Sequence, residues 1–374
     1  MLYTIPDYYK EFHCIAYRCE DTCCAGWQIV IDEVSLEKYK WMTGDYRKTV
    51  WKNINWLTGT FKQDKEKRCA FLNEDNLCDL CLNKGEKSFC KTCKTYPRHI
   101  EEFEGVREIS LSVSCPEAAR ILLNKKDKVT YLTYERAGEE EYEDFDPFFF
   151  SLLEDARSKM LNILQDRSLP IGTRVILVLG MAHDMQGRVN RQELFDCLDV
   201  IDKYITPKAI AYAKNYYLEH AKADSKYTLT RELYDKLYEL ELLRKDWDDL
   251  LLESDALLFA KGKNKYSAMH TAFWKNVGFA EEITIQLEQL MVYFLFTYLP
   301  GAVYDGNIYS KVQMCLYLVW MIYELWVARY VKNGGTLSIE ERVDLTYRFS
   351  REVEHSDKNR EHIEAIMEKK WFLA

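Results

Sequence analysis

The residues of this chain best equipped for chemistry are its cysteines, ten of twelve lying before residue 116. The stretch "HCIAYRCEDTCCAGW" crowds Cys14, Cys19, Cys23 and Cys24 together. A second stretch, "CAFLNEDNLCDLCLNKGEKSFCKTCKTYPRH", carries Cys69, Cys78, Cys81, Cys90 and Cys93, and Cys115 follows in "SVSCPEAAR". In a reducing compartment, thiols at this density bind metal more readily than each other. Cys78-x2-Cys81 and Cys90-x2-Cys93 each place two sulfurs on one tight turn. Two such turns together make a tetrahedral four-thiolate zinc site. Thiolates suit zinc and iron–sulfur clusters alike, so these spacings leave the metal open.

Cys19-x3-Cys23-Cys24 is too crowded for one simple zinc site, because adjacent residues point their side chains in different directions. It also departs from the Cys-x3-Cys-x2-Cys run of radical enzymes, since Gly26 stands where the third cysteine would be. Ten thiols exceed the four that one [4Fe–4S] cluster needs. The remainder would form a second metal site, a disulfide or structural thiols. Cys197 and Cys315 sit in apolar helical contexts and are expected to be inert core residues.

The elements that must position these sulfurs can be read from pattern. The fold class expected is mainly α. An N-terminal cysteine-rich metal-binding domain with a small β-hairpin (1–135) precedes an all-helical domain (136–374). The acidic run "ERAGEEEYEDFDP", with Glu139-Glu140-Glu141 at its centre, marks the linker. "GWQIVID" (26–32) reads as a strand, and "SLEKYKWMTG" as a helix capped by Ser35. "HIEEFEGVREISLSVSC" reads as a hairpin turning at Glu104-Gly105. Helices are expected from "DPFFFSLLEDARSKMLNILQ", from the Thr206-Pro207 start and over "RELYDKLYELELLRKDW". Gly334-Gly335 ends a long apolar helix, and Ser338 with Glu341 spells a capping box.

Composition narrows the function. A net charge of −9 argues against a nucleic-acid groove and is compatible with a lysine-bearing protein partner. "VQMCLYLVWMIYELWVARYV" is the most lipid-like segment. Gln313, Glu324 and Arg329 within it favour a buried core helix over a membrane span. The N-terminus lacks a basic and apolar secretory pattern, so a cytoplasmic location is expected.

The blocks "CIAYRCEDTCCAGW", "CAFLNEDNLC", "CKTCKTYPRH" and "LSVSCPEAAR" resemble the signature blocks of the flagellin lysine-N-methylases, in a broader cysteine-cluster group described as zinc- or iron-chelating. The resemblance covers about residues 1–120. It implies methyl transfer from S-adenosylmethionine to lysines of flagellin, and a [4Fe–4S] cluster. The family pattern falls on Cys14, Cys19, Cys23, Cys24, Cys69, Cys78, Cys93 and Cys115, four of which would hold the cluster. Cys81 and Cys90 match it less well, which sets the family pattern against the double-CxxC zinc site, with zinc a further candidate cofactor.

No Gly-x-Gly-x-Gly loop follows a strand, so a Rossmann-type nucleotide site is not expected. An open iron of a cluster would then take the amino and carboxylate groups of the methionine moiety, and Tyr or Trp faces would cradle the sulfonium. Methylation needs a neutral amine, and the lysine pKa of about 10.4 must be overcome by burial and a proton acceptor. Tyr96, Arg98 and His99, beside Cys93, are the catalytic candidates. His13 is a candidate ligand or donor beside Cys14. Trp27 is expected to pack over the site, with Gly26 permitting a tight turn. The alternative is a non-catalytic zinc- or iron-binding module, or a metal-handling protein.

Overall fold

The computed structural model describes residues 1–138, 144–220, 223–275 and 277–369. The chain opens with strand β1 (Leu2–Pro6) and reaches helix α1 (Glu33–Lys40) after the first cysteine group. Helix α2 (Arg47–Lys52), the short strands β2 (Ile54–Asn55) and β3 (Thr60–Phe61), and helices α3 (Asp79–Lys84) and α4 (Lys91–Thr95) follow. The expected hairpin is present as β4 (Arg98–Phe103) and β5 (Val106–Leu111), with Phe103 opposite Val106 and Gly105 at positive φ in the turn. It is part of a larger sheet of order β4-β5-β1-β6. There β1 runs parallel to β5 and antiparallel to β6 (Tyr131–Glu135). Helix α5 (Pro116–Asn124) lies between β5 and β6 in sequence. Sequence pattern had missed β1 and β6, which are short and acquire their partners only across more than a hundred residues.

From Pro147 onward every regular element among the described residues is helical. These are α6 (Pro147–Leu164), α7 (Ile171–Asn190), α8 (Cys197–Lys203), α9 (Pro207–His220), α10 (Ala223–Asp235), α11 (Lys245–Phe259) and α12 (Gly262–Phe273). They continue as α13 (Val277–Tyr298), α14 (Ala302–Asp305), α15 (Ile308–Lys332), α16 (Ile339–Glu354) and α17 (Asp357–Met367). The protein is thus mainly helical with a small mixed sheet. The run Glu139-Glu140-Glu141 lies outside the described residues.

Several local readings hold. Asp146 caps α6 by accepting from Phe148 and Phe149 N–H, and Thr206 Oγ1 accepts from Ala209 N–H at the start of α9. Ser338 and Glu341 form the reciprocal capping box of α16, and Gly334 and Gly335 take positive φ just past α15. Others are corrected. Residues 26–32 are not a strand. Ile29 and Ile31 face inward as alternation requires, but the backbone pairs only at isolated bridges from Ala25 and Val30. The Val30 carbonyl is occupied instead by the Thr92 hydroxyl at 2.8 Å. The cap of α1 is Asp32, whose carboxylate accepts from Ser35 N–H at 2.9 Å, so Ser35 lies inside the helix. A carboxylate there also meets the positive end of the helix dipole.

The helix read across 231–247 breaks between α10 and α11. The Glu352 carboxylate takes the N–H groups of Leu243 (2.9 Å) and Arg244 (3.1 Å), and Asn359 takes that of Glu241 (2.7 Å). Tertiary acceptors outcompete the helical ladder at this point.

The main core runs from Tyr8 and Phe12 through β5 and α5 to Met367, with α15 at its centre. Helix α15 is long and apolar enough to cross a membrane, yet 78% of its most apolar window is buried inside the protein. Its polar residues have partners: Glu324 accepts from Tyr266 Oη (2.9 Å) and pairs with His270 (3.0 Å), and Gln313 donates to the Met367 carbonyl (2.6 Å). Cys197 and Cys315 are buried in this core, as expected. A second, smaller core gathers Ile29, Ile31, Tyr39, Phe61, Phe71 and Leu80.

The sheet is bound to the helices by a buried ion pair between Glu108 on β5 and Arg157 on α6, both oxygens engaged at 2.5 Å. Arg157 also donates to the Phe296 carbonyl (3.1 Å) and lies over the Phe296 ring. Removing one partner leaves a buried charge. Arg157→Ala and Glu108→Ala are therefore each expected to cost about 3–5 kcal/mol, whereas Arg157→Met with Glu108→Leu is expected to cost much less. Urea unfolding of the three variants tests this. Equal losses in single and double variants would show that packing, not charge burial, sets the cost.

Candidate functional site

Folding brings the ten N-terminal thiols into two neighbouring groups. In the first, Cys14 is exposed after Phe12, and Cys19 follows a short 3-10 turn, its Sγ donating to the Asp21 carbonyl at 3.2 Å. Cys23 and the buried Cys115, which precedes α5, complete it. Cys23 lies within electrostatic reach of Cys14 and Cys115, and Cys115 of Cys19. In the second, Cys69 and Cys90 are part of the smaller core, and Cys24, Cys78 and Cys93 pack against it. Cys81, on α3, is half-buried and outside that core, within electrostatic reach of Cys78. Residues 23 and 24 are the junction: Cys23 faces the first group, while the Cys24 carbonyl accepts from Cys69 N–H at 2.8 Å.

The thiols are unequal acids. The Cys23 thiol donates to Cys24, which holds Cys24 down at about 7 and raises Cys23 well above the ordinary range. Cys93 does the same for Cys90, also lowered to about 7. Burial pushes Cys69 up to about 12 and Cys78 and Cys115 up to about 11. Among the described residues, no three His, Cys, Asp or Glu side chains stand close enough together to hold a single metal ion. Four thiolates on one zinc sit only about 3.8 Å apart, from bonds of about 2.3 Å in tetrahedral geometry. The corners of a cubane are spread more widely, since each sulfur binds a different iron. The donor chemistry of both groups, cysteine sulfur throughout, fits a thiolate-bound metal group.

Helix α16, from the far end of the chain, closes the first group. Arg351, 3% exposed, donates through Nε to the Ser114 carbonyl (2.9 Å) and through Nη2 to the Asp21 carbonyl (2.7 Å), and its Nη1 pairs with Asp21 Oδ1 (2.8 Å). Asp21 also pairs with Arg244 at 2.5 Å. His355, just past α16, lies 3.0 Å from Ser114 Oγ and against Trp27, with ring centres 4.6 Å apart and the planes tilted by 31°. Trp27 donates to the Cys23 carbonyl (2.7 Å) and contacts Tyr96, so it packs over this group.

Of the three catalytic candidates, Tyr96 belongs here, its hydroxyl 3.1 Å from Ser114 Oγ. Arg98 turns away to Tyr9 Oη (2.8 Å), and His99 pairs with Glu101 (2.6 Å). His13 is exposed. Sequence reasoning missed Asp21, Ser112, Ser114, Arg351, Glu354 and His355. The only signal for any of them was the pair of serines two apart in "LSVSC", a spacing that aims both hydroxyls the same way.

Beside the first group opens a cleft of about 760 Å³ lined by Cys19, Asp21, Gly26, Arg68, Arg244 and Asp246. Gly26 has φ +91°, and a Cβ there would meet Arg244 Cδ at 3.4 Å. The positive φ is what favours glycine here, since the approach to Arg244 is an ordinary van der Waals contact.

His355 is held down at about 3 by burial and by the nearby Arg351. It is neutral in the native protein at neutral pH, whereas an unfolded histidine binds a proton below about 6.5. A depressed native pKa means that stability falls as pH drops from about 6.5 toward 3. In chemical unfolding across that window, His355→Gln is expected to flatten the acid slope relative to the parent. An unchanged slope would show that His355 is already solvated in the native state.

A model of the FliB lysine N-methylase C-terminal domain matches residues 157–373. A 134-residue segment is 30% identical to the lysine-N-methylase of Salmonella typhimurium, covering 33% of this chain and 33% of that protein. The lysine-N-methylase of Salmonella choleraesuis matches to the same extent. The flagellar biosynthetic protein FliU of Salmonella muenchen is also 30% identical over 134 residues, 78% of its length. The matched segment thus spans about a third of each curated lysine-N-methylase. No solved structure matches the chain. With more than half of its length matched by the family model, this chain belongs to the FliB lysine N-methylase C-terminal domain family.

Proposed function

We propose that this chain is a protein lysine N-methyltransferase acting on flagellin, with S-adenosylmethionine as methyl donor and a cysteine-bound [4Fe–4S] cluster. The observation that carries the reading is membership of a family described as lysine N-methylase. The names of the relatives, one of them flagellar, support flagellin as the substrate.

In this reading Cys14, Cys19, Cys23 and Cys115 hold the cluster, because they are the thiols beside Tyr96, Trp27 and His355. Cys24, Cys69, Cys78 and Cys93, with Cys90, line the smaller core and are set too far apart for a single zinc ion. The methyl donor supplies an electrophilic carbon on a positively charged sulfonium. Trp27 and Tyr96 offer ring faces to that charge. The adjoining cleft falls within the size range of small-molecule sites. Half-buried aromatic surroundings disfavour an ammonium and so lower the pKa of an incoming lysine.

Anaerobically purified protein incubated with flagellin and S-adenosylmethionine is expected to add one CH2 per methyl group to lysine peptides, read by mass spectrometry. Single alanine variants of Cys19, Cys23 or Cys115 should lose most bound iron and the transfer. Variants of Cys69 or Cys78, and of Cys197 or Cys315, should keep both iron and transfer. Full iron in all three of the first set would reject the assignment. A colourless, zinc-only protein that modifies no lysine would leave the non-catalytic metal module in its place.

A further inference from the structure

The helical body delivers to the cysteine loop a line of hydrogen-bonded groups that leads away from the thiols. Ser114 Oγ meets Tyr96 Oη (3.1 Å), His355 Nε2 (3.0 Å) and Ser112 Oγ. Ser112 donates to Glu354 Oε2 at 3.0 Å. That same oxygen accepts from Tyr293 (2.6 Å) and Tyr298 (3.0 Å), both on α13. Ser112 and Ser114 are buried, whereas Tyr96, Trp27 and His355 are only half-buried at the thiol end.

The proton count gives this line a direction. Ser112 has one hydroxyl proton and gives it to Glu354, so the Ser114 hydroxyl must donate to Ser112. Ser114 then has only lone pairs left for Tyr96 and His355. Both must donate to it, which places the His355 proton on Nε2 and leaves Nδ1 as an acceptor. Every donor therefore points toward Glu354. Three donors converge on Oε2, an arrangement that suits an ionised carboxylate, while Oε1 is buried with no hydrogen-bond partner. A buried carboxylate with one bare oxygen is poised to take a proton. Burial raises its pKa, and the hydrogen bonds from Tyr293 and Ser112, then nearby His99, oppose this. The other charged groups facing the line are Arg351 beside His355 and Arg360 over the Tyr298 ring.

We propose that Tyr96 and His355, Ser114, Ser112 and Glu354 form a one-way proton relay that carries the proton of the target lysine ammonium from the thiol site to the Glu354 carboxylate. This rests on the methyltransferase reading. The ammonium gives one proton to the Tyr96 oxygen or to His355 Nδ1. Each relay group passes on its own proton, and Glu354 becomes a carboxylic acid. The freed amine lone pair then forms the N–C bond as the methyl–sulfur bond breaks, its electron pair remaining on sulfur. Glu354 afterwards returns its proton to solvent.

The test uses the full chain with its metal loaded. For kcat/KM of flagellin methylation near neutral pH, E354Q and S112A are each expected to fall on the order of a hundredfold, with metal content and unfolding midpoint close to the parent. The deficit should shrink toward alkaline pH, where the lysine arrives already deprotonated, and E354D should recover part of the rate. Variants that match the parent across the pH range would overturn the relay and leave the methyltransferase reading standing. A second readout does not depend on turnover. In pH-difference infrared spectra of the metal-loaded chain, a protonated carboxyl band is expected with a midpoint above the ordinary glutamate range, absent in E354Q and retained in S112A. If the parent transfers no methyl group, this band decides. Its presence supports Glu354 as the acceptor, and its absence, or an ordinary midpoint, rejects the relay.

Discussion

One carboxylate, Asp21, holds the cysteine loop against the helical body. It meets Arg351 and Arg244 at once and is itself almost buried. Charge-assisted contacts of this kind are strong because both partners have left water, and for the same reason either alone would be costly. Arg351 extends the clamp to the Ser114 carbonyl, next to Cys115. The segments carrying Cys19, Cys23 and Cys115 are thus referenced to one point on α16.

The thiols add a constraint of a different kind. Burial makes most of them reluctant to ionise, yet a metal takes only thiolates, so binding must expel protons. The two close pairs, Cys23 with Cys24 and Cys90 with Cys93, ease this by offering one partner that ionises near neutral pH. In the second group the sulfurs form part of the wall of a small core built on Ile29, Ile31, Phe61 and Phe71. A core of that size buries little apolar surface, and filling its thiolate wall would couple metal loading to its stability.

The helical body supplies the rigidity that this arrangement requires. Helix α15 runs through the main core with Trp326, Tyr317 and Ile322 fully enclosed. Its buried Glu324 is satisfied by Tyr266, His270 and Trp320 rather than left bare. Glu288 on α13 is neutralised by Arg167 and Arg174, and Glu108 by Arg157. These three interior carboxylates are paired with cationic side chains, whereas the buried Glu352 accepts the backbone N–H groups of Leu243 and Arg244. Glu354 differs: its neighbours are hydroxyls, and one of its oxygens has no hydrogen-bond partner. It is on this bare oxygen that the proposed relay ends.

By itself the sequence determined what depends on near neighbours. The helical character beyond Pro147, the capping box at Ser338 and Glu341, the hairpin at Glu104-Gly105 and the burial of Cys197 and Cys315 all follow from periodicity, capping and turn chemistry. The crowding of ten cysteines before residue 116 is likewise legible in the sequence alone. Tertiary structure alone decided how the ten sulfurs divide, because Cys115 joins Cys19 and Cys23 only when α5 and the loop meet. It also broke the helix read across 231–247, where the Glu352 carboxylate takes backbone donors that a local pattern assigns to the helix. Arg351, Glu354 and His355 look in sequence like the polar residues of an amphipathic helix. Their meaning comes from Asp21, Ser112 and Ser114, more than two hundred residues away, and burial beside those partners is something no local pattern encodes.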